Sequence, residues 1–299
     1  MARIDERRVF MTVRDKLWLF ASCAHDDDPS LGKSPTHQRY LKKSRITPAE
    51  GCFMLDIPNI IMVGSSGGEP VPFSYDALGY AESFCRLDRV LWSVTGSGGF
   101  RSGNEEAFIC DMAKKYPNVM GGFADDLFFN DDLGGIDDQE LLKELSEKKE
   151  KNQAILNSVT SAFKNACRPM ELWATVYISN AEARLWDENP NFWNSFTGLS
   201  LWTWEMKDLP KLEDNFKVVK KAFPDKKLYL GVYIYDYMSG EPIPNDLMEH
   251  QCEFGLKMLK EKQIEGIIFL TNCVMGIGLP SEYWLRNWID KNKNIELGE

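Results

Sequence analysis

The chain has 299 residues and a formal net charge of -10, from 35 Lys and Arg against 45 Asp and Glu, with 43% hydrophobic and 27% charged residues. That balance is ordinary for a globular protein and excludes a disordered or fibrous class; the acidic surplus argues against nucleic acid, whose binding needs clustered Lys and Arg, and favours neutral or weakly charged ligands. Seven cysteines, odd in number, widely spaced and without C-x-x-C, read as reduced thiols, which points to a cytoplasmic protein with neither a disulfide scaffold nor a zinc knuckle.

From the N-terminus, strand-like runs alternate with helical patterns. The first strand is expected at 16–23 and stops in His25, Asp26, Asp27 and Asp28. Segment 17–24 imitates the apolar core of a signal peptide, yet Asp5, Glu6 and Asp15 stand where a basic region belongs. No run is long enough to span a bilayer, so no membrane partner is expected. A polar stretch over 29–44 reads as an excursion across one face. Thr47 with Glu50 spells a capping box ahead of a helix and the second strand, 59–63, which stops in S-S-G-G.

Residues 75–87 carry helical spacing, and the third strand, 89–95, stops in G-S-G-G. A helix over 104–115 leads to the fourth strand, 119–124, which runs straight into Asp125 and Asp126. Acids and lysines at i,i+4 spacing mark 137–166 as an exposed helix. The fifth strand is 172–179, followed by a short helix over 181–186 and a turn-prone N-P-N. The sixth, 199–204, ends in Glu205; Asp208 and Pro210 then open a helix running to 223. The seventh strand, 228–235, ends in Asp236, with a helix over 245–262, and the eighth, 266–270, ends in T-N-C before a last helix over 280–290.

Parallel strands need helical crossovers, and eight strands is the number that closes a ring. The pattern therefore predicts an α/β chain folded as a single (β/α)8 TIM barrel over 1–299, with no linker rich in Gly, Ser or Pro to divide it; a doubly wound sheet is the alternative, less suited to one repeating unit over the whole length. In such a barrel the active face is the C-terminal end of the strands. The polar residues there are His25, Asp26, Asp27, Asp28, Ser65, Ser66, Ser97, Asp125, Asp126, Asn180, Glu205, Asp236 and Asn272. A carboxylate at the end of a buried strand costs several kcal/mol of lost hydration unless the structure opens a polar cleft for it. The plainer reading, one Asp capping a turn and the other solvated, stays open.

Aromatic residues accompany the acids: Trp92, Phe128, Phe129, Trp173, Tyr177, Trp202, Trp204, Tyr233, Tyr235 and Tyr237. Sugar rings stack on such side chains, although barrel aromatics also serve as core. Alternation sends neighbours to opposite faces, so Trp204 and Glu205, or Asp125 and Asp126, cannot both point inward within a strand. Three histidines without H-x-H or H-E-x-x-H leave no histidine-built metal site, strand ends offer no Schiff-base lysine, and G-x-S-x-G is absent. A mixed site using His25 with the aspartates stays open. The two glycine-rich loops read as tight strand-to-helix turns, since phosphate sites in barrels sit after strands seven and eight.

The segments N-V-M-G-G-F-A-D-D-L-F-F, L-S-L-W-T-W-E, Y-L-G-V-Y-I-Y-D-Y and G-I-I-F-L-T-N-C resemble those of bacterial glycoside-hydrolase-like (β/α)8 barrels, although no signature of a named activity is present and D-x-x-D-x-D-x-E is missing. The resemblance implies one carboxylate at the end of strand four and another on strand six or seven, which falls on Asp125 or Asp126, Glu205 and Asp236. It implies glycosidic cleavage by two carboxyls. Glu205, beside Trp204 and Met206, is the expected proton donor, with Asp125 or Asp126 attacking the anomeric carbon or activating water. His25, Asp26, Trp92, Phe128, Trp173, Tyr177, Trp202, Trp204, Tyr235, Asp236, Tyr237 and Asn272 are expected to bind the carbohydrate substrate. No cofactor is expected, and a homo-oligomer is compatible with the chain. The alternatives are a sugar isomerase, epimerase or lyase holding Mg²⁺ or Mn²⁺ among the same carboxylates, or a barrel that binds saccharide without catalysis.

Overall fold

Strand residues are buried on both faces almost throughout, which suits a parallel sheet covered on one side by helices and filled on the other by its own side chains. In the computed structural model, which describes residues 11–26, 44–64, 68–127, 139–178 and 190–298, that sheet closes on itself. The strands are β1 (Leu17–Ala21), β2 (Asn59–Met62), β3 (Arg89–Thr95), β4 (Val119–Ala124), β5 (Glu171–Tyr177), β6 (Gly198–Trp202), β7 (Lys227–Tyr233) and β8 (Gly266–Leu270). They pair in parallel in sequence order, and β8 pairs with β1 to complete the ring.

Among the described residues an α-helix follows each strand: α1 (Pro48–Leu55), α2 (Tyr75–Ser83), α3 (Glu105–Lys115), α4 (Gln139–Lys164), α5 (Pro190–Trp193), α6 (Leu212–Ala222), α7 (Asn245–Lys260) and α8 (Pro280–Asn292). The molecule is a (β/α)8 TIM barrel. Local signals start some helices, though not the one after β6: Asp208 and Pro210, expected to cap and open it, lie in a 3-10 helix (Met206–Lys211), and α6 begins at Leu212 with no side-chain cap. Thr47 and Glu50 form both halves of a capping box at α1, with Pro48 in its first turn, and Ser74 accepts a hydrogen bond from the Ala77 amide at α2. Among the described residues no helix is long and apolar enough to cross a membrane.

Other expectations change or go untested. The helix expected over 181–186 lies outside the described residues, and Pro190 and Asn191, expected in a turn, open α5. The seventh strand stops at Tyr233; Tyr235–Asp236 instead pairs antiparallel with Glu241–Pro242 in a small hairpin above the barrel.

The base of the barrel is an aromatic plug. Trp173 stacks on Tyr229 with centroids 3.8 Å apart, Trp18 meets Trp173 edge-on at 4.8 Å, and the Arg89 guanidinium lies 4.9 Å from the Trp18 ring. Each such pair contributes about 0.5–1.5 kcal/mol beyond simple burial. Higher up, Trp202 packs on Phe20 and Tyr233, and Gly231 makes room for it: a Cβ there would lie 2.1 Å from the indole.

Candidate active site

Above Trp202 the C-terminal mouth opens into a cavity of about 270 Å³ lined by acids and aromatics. Strand alternation determines which residues reach it. On β5, Trp173, Thr175 and Tyr177 share one face, so the same parity that sends Trp173 into the plug sends Thr175 and Tyr177 toward the mouth. Asp125 follows β4 directly. Its backbone is fixed to β3 from both sides, its amide donating to Thr95 O at 3.0 Å and its carbonyl accepting from Thr95 Oγ1 at 2.8 Å. The residue is 5% exposed, and its carboxyl accepts from Thr175 Oγ1 at 2.9 Å. Burial, and then the neighbouring Asp126 charge, push it well above the usual carboxylate range; the Thr175 bond offsets part of this.

Asp126 turns the chain. Its φ of 46° lies in the left-handed region, a conformation Asp tolerates better than most residues, and this escapes the parity constraint that would have sent it outward. Its two carboxylate oxygens accept from the Gly98 amide at 2.9 Å and from the Tyr177 hydroxyl at 3.1 Å. Burial raises this carboxyl too, but Gly98, Tyr177 and the Lys148 charge oppose the rise. The Tyr177 hydroxyl is also hydrogen-bonded to that of Tyr233, and burial lifts both phenols well above their ordinary value. The two acids sit differently: Asp125 is the more deeply buried, and Asp126 is held by donors from β5 and from the loop after β3.

Four aromatic rings form the wall around the dyad. Trp204 stacks on Tyr237 with centroids 6.2 Å apart and planes 13° apart, and meets Tyr177 and Tyr233 edge-on at 6.5 and 5.9 Å. Trp204 is 38% exposed, so one face of this cluster is open to a ligand. Asp26, Ser97, Trp202, Trp204, Tyr177 and Tyr237 line the cavity with the two aspartates. Phe20, Ser22, Tyr233 and Thr271 line it as well and were not among the expected binding residues. For Tyr233 a signal existed, since it shares parity with Tyr229 and Gly231 on β7.

The remaining expected residues are placed elsewhere. Glu205, the expected proton donor, does not line the cavity; alternation turns it away from Trp204 and its carboxylate pairs with Lys207 at 2.6 Å. Asp236 is buried, but it holds its own hairpin together, accepting from the Met238 amide at 2.9 Å and Ser239 Oγ at 2.9 Å, and from the Met206 amide at 3.4 Å. Asn272 clamps β1 to β8: its amide donates to Ser22 O and Ile46 O, and its oxygen accepts from the Ser22 amide. Trp92 faces outward between α2 and α3, against Phe84 and Phe108. Trp173 has the inward parity but the wrong depth, in the plug. Tyr235 is fully buried behind Tyr237, and His25 is not among the lining residues. Phe128, Phe129, Asp27, Asp28, Ser65, Ser66 and Asn180 lie outside the described residues.

Among the described residues, no three or more His, Cys, Asp or Glu side chains are gathered to hold a metal ion. The arrangement can do acid–base chemistry on an uncharged ligand. It offers a carboxyl biased toward its neutral form, an adjacent carboxylate, phenolic donors and stacking faces.

No protein-family model matches the chain, and neither does any curated protein. Solved structures do. A Bacteroides thetaiotaomicron protein provisionally assigned as an α-L-fucosidase aligns over 97% of this chain and 98% of its own at 9% identity, with a TM-score of 0.55. The GH99 endo-α-mannosidase of Bacteroides thetaiotaomicron aligns over 93% of this chain and 97% of its own at 11% identity, with a TM-score of 0.50. A tryptophan synthase α-subunit from Pyrococcus furiosus aligns over 94% and 98% at 13% identity, with a TM-score of 0.45. At such identities the likeness establishes the barrel and nothing finer.

Proposed function

We propose that the protein is a glycoside hydrolase acting on a neutral glycoside or oligosaccharide, with the Asp125–Asp126 dyad as its chemical centre. The observation that supports this is the pairing of two adjacent carboxyls, held by different donors, with a partly open aromatic wall in one cavity. Asp125, biased toward its protonated form, donates to the leaving glycosidic oxygen. Asp126, the anion beside it, stabilises positive charge as it develops at the anomeric carbon. Trp204 and Tyr237 offer the sugar's C–H face a stacking surface. The mouth of a TIM barrel is where the fold places its reactive groups, and the glycoside-cleaving names of the two neighbours with TM-scores of 0.55 and 0.50 agree with this reading without carrying it.

The test is a panel of aryl glycosides and oligosaccharides offered to purified protein, with Asp125→Asn and Asp126→Asn as controls. Hydrolysis that disappears in both variants while their circular dichroism is unchanged supports the reading. Unaltered turnover in both variants, or no cleavage of any glycoside by the wild type, overturns it.

A further inference from the structure

Resting on the hydrolase reading, we propose that Tyr233 is a specificity-determining residue of this site: its phenol accepts a hydrogen bond from one free hydroxyl of the sugar, so glycosides without that hydroxyl's proton are rejected. The phenolic protons can be counted. A tyrosine hydroxyl has a single proton to donate and lone pairs with which to accept. Tyr177 donates its proton to Asp126 Oδ1 at 3.1 Å. Its second hydrogen bond, to the Tyr233 hydroxyl, therefore uses a Tyr177 lone pair and the Tyr233 proton. The chain runs from Tyr233 through Tyr177 to Asp126, and both phenols line the cavity. Tyr233 thus faces a ligand with its proton already spent and a lone pair to offer.

The surroundings hold that direction. The Gly98 amide donates to Asp126 Oδ2 at 2.9 Å, which leaves Oδ1 to receive Tyr177. Tyr233 is 5% exposed, and its ring is boxed by Trp202, Trp204 and Tyr237, which meet it edge-on at 5.1, 5.9 and 6.2 Å. Trp202 is itself fixed, donating from Nε1 to Ser200 Oγ at 2.9 Å. A boxed ring keeps its hydroxyl beside that of Tyr177, so the order of donors persists for as long as Asp126 is charged.

A sugar hydroxyl completes the chain by donating to Tyr233, and each link polarises the next toward the Asp126 anion. A substituent that cannot donate leaves the Tyr233 lone pair unmatched in a wall already stripped of water, and such a mismatch discriminates more sharply than a missing apolar contact does. Fluorine accepts weakly and does not donate; hydrogen does neither. The two replacements therefore tell an accepting Tyr233 from a donating one.

Wild-type protein and Tyr233→Phe are assayed on the best 4-nitrophenyl glycoside and on its deoxy and deoxyfluoro forms, one ring position at a time. The inductive effect of each substituent on the anomeric centre is common to both proteins, so the ratio of their kcat/KM values isolates the contact. At one position, hydrogen and fluorine should each cost the wild type at least about fivefold more than they cost Tyr233→Phe. Retained turnover with no position coupled to Tyr233 overturns this inference and leaves the hydrolase reading intact. Coupling to hydrogen but not to fluorine makes Tyr233 a donor and overturns it as well. Tyr177→Phe is an independent arm should Tyr233→Phe fail to fold. It releases the Tyr233 proton, so the fluoro-to-deoxy ratio of kcat/KM at one position should rise at least about threefold over wild type; a ratio unchanged at every position overturns the inference. Cleavage of no glycoside by the wild type overturns both readings.

Discussion

Asp125 and Asp236 are both buried aspartates just beyond barrel strands, at 5% and 3% exposure, yet their surroundings differ in kind. Asp236 collects hydrogen bonds from the Met238 amide and Ser239 hydroxyl of its own hairpin and from the Met206 amide beyond β6, so both its oxygens are met by nearby donors. Asp125 has the Thr175 hydroxyl, the Asp126 amide and an acidic neighbour. A buried carboxylate surrounded by donors is part of the scaffold. One with few donors and an acidic neighbour is pushed toward its protonated form, as the proposed role of Asp125 requires.

Exchange at the two positions should therefore give opposite results. Asp125→Asn keeps the Thr175 contact and the shape, but removes the proton donor; turnover should fall by about 10²–10⁴-fold in steady-state assays, the usual reach of general acid catalysis. Its stability should move the other way. The folded carboxyl lies above its unfolded value, so wild-type stability is complete in acid and is lost as pH rises from the ordinary carboxylate range through the raised one. The Asn variant has no such loss. Denaturant melts should show the variant gaining on the wild type from acid toward alkaline pH, and equal behaviour at both ends would remove the contrast with Asp236.

Asp236→Ala should lose about 2–3 kcal/mol of stability in the same melts, because several buried donors lose a charged acceptor. Its residual folded fraction should bind sugar less well while keeping the pH profile. Between these lies Tyr177→Phe, which deletes one of the two donors to Asp126. Since that bond lowers the Asp126 carboxyl, its loss should move the acid limb of the activity profile to higher pH and cost about tenfold in kcat/KM, near 1.4 kcal/mol. The smallest effect should be that of Glu205→Gln. Its pairing with Lys207 at the rim is half-solvated, so stability should change by less than about 1 kcal/mol and turnover hardly at all. A large kinetic loss there would restore Glu205 as the proton donor that the sequence suggested.

The barrel was legible because each strand is an apolar run stopped by Gly, Asn or an acid, and helical spacing fills the intervals. The dyad was legible because two charges interrupt such a run. Parity separates Trp202 from Trp92, but each strand's register on its neighbours is needed to assign it. Depth separates Trp173 from Tyr177, which share a face of β5 and differ only in height. Glu205 shows the limit of reading chemistry from neighbours in sequence, since Trp204 beside it enters the cavity for the same reason that Glu205 leaves it. The turn at Asp126 had no local signal; its left-handed backbone depends on the Gly98 amide and Tyr177 waiting on β3 and β5's side of the mouth.

The aromatic plug of Trp18, Trp173 and Tyr229 makes the chamber blind-ended. A molecule that travels to the bottom must come back through the doorway it used, after anything bound above it has gone. For a sugar cut from the end of a chain, the outer fragment departs first and the deeply seated ring last, so the freed monosaccharide is itself an occupant that the next substrate must displace.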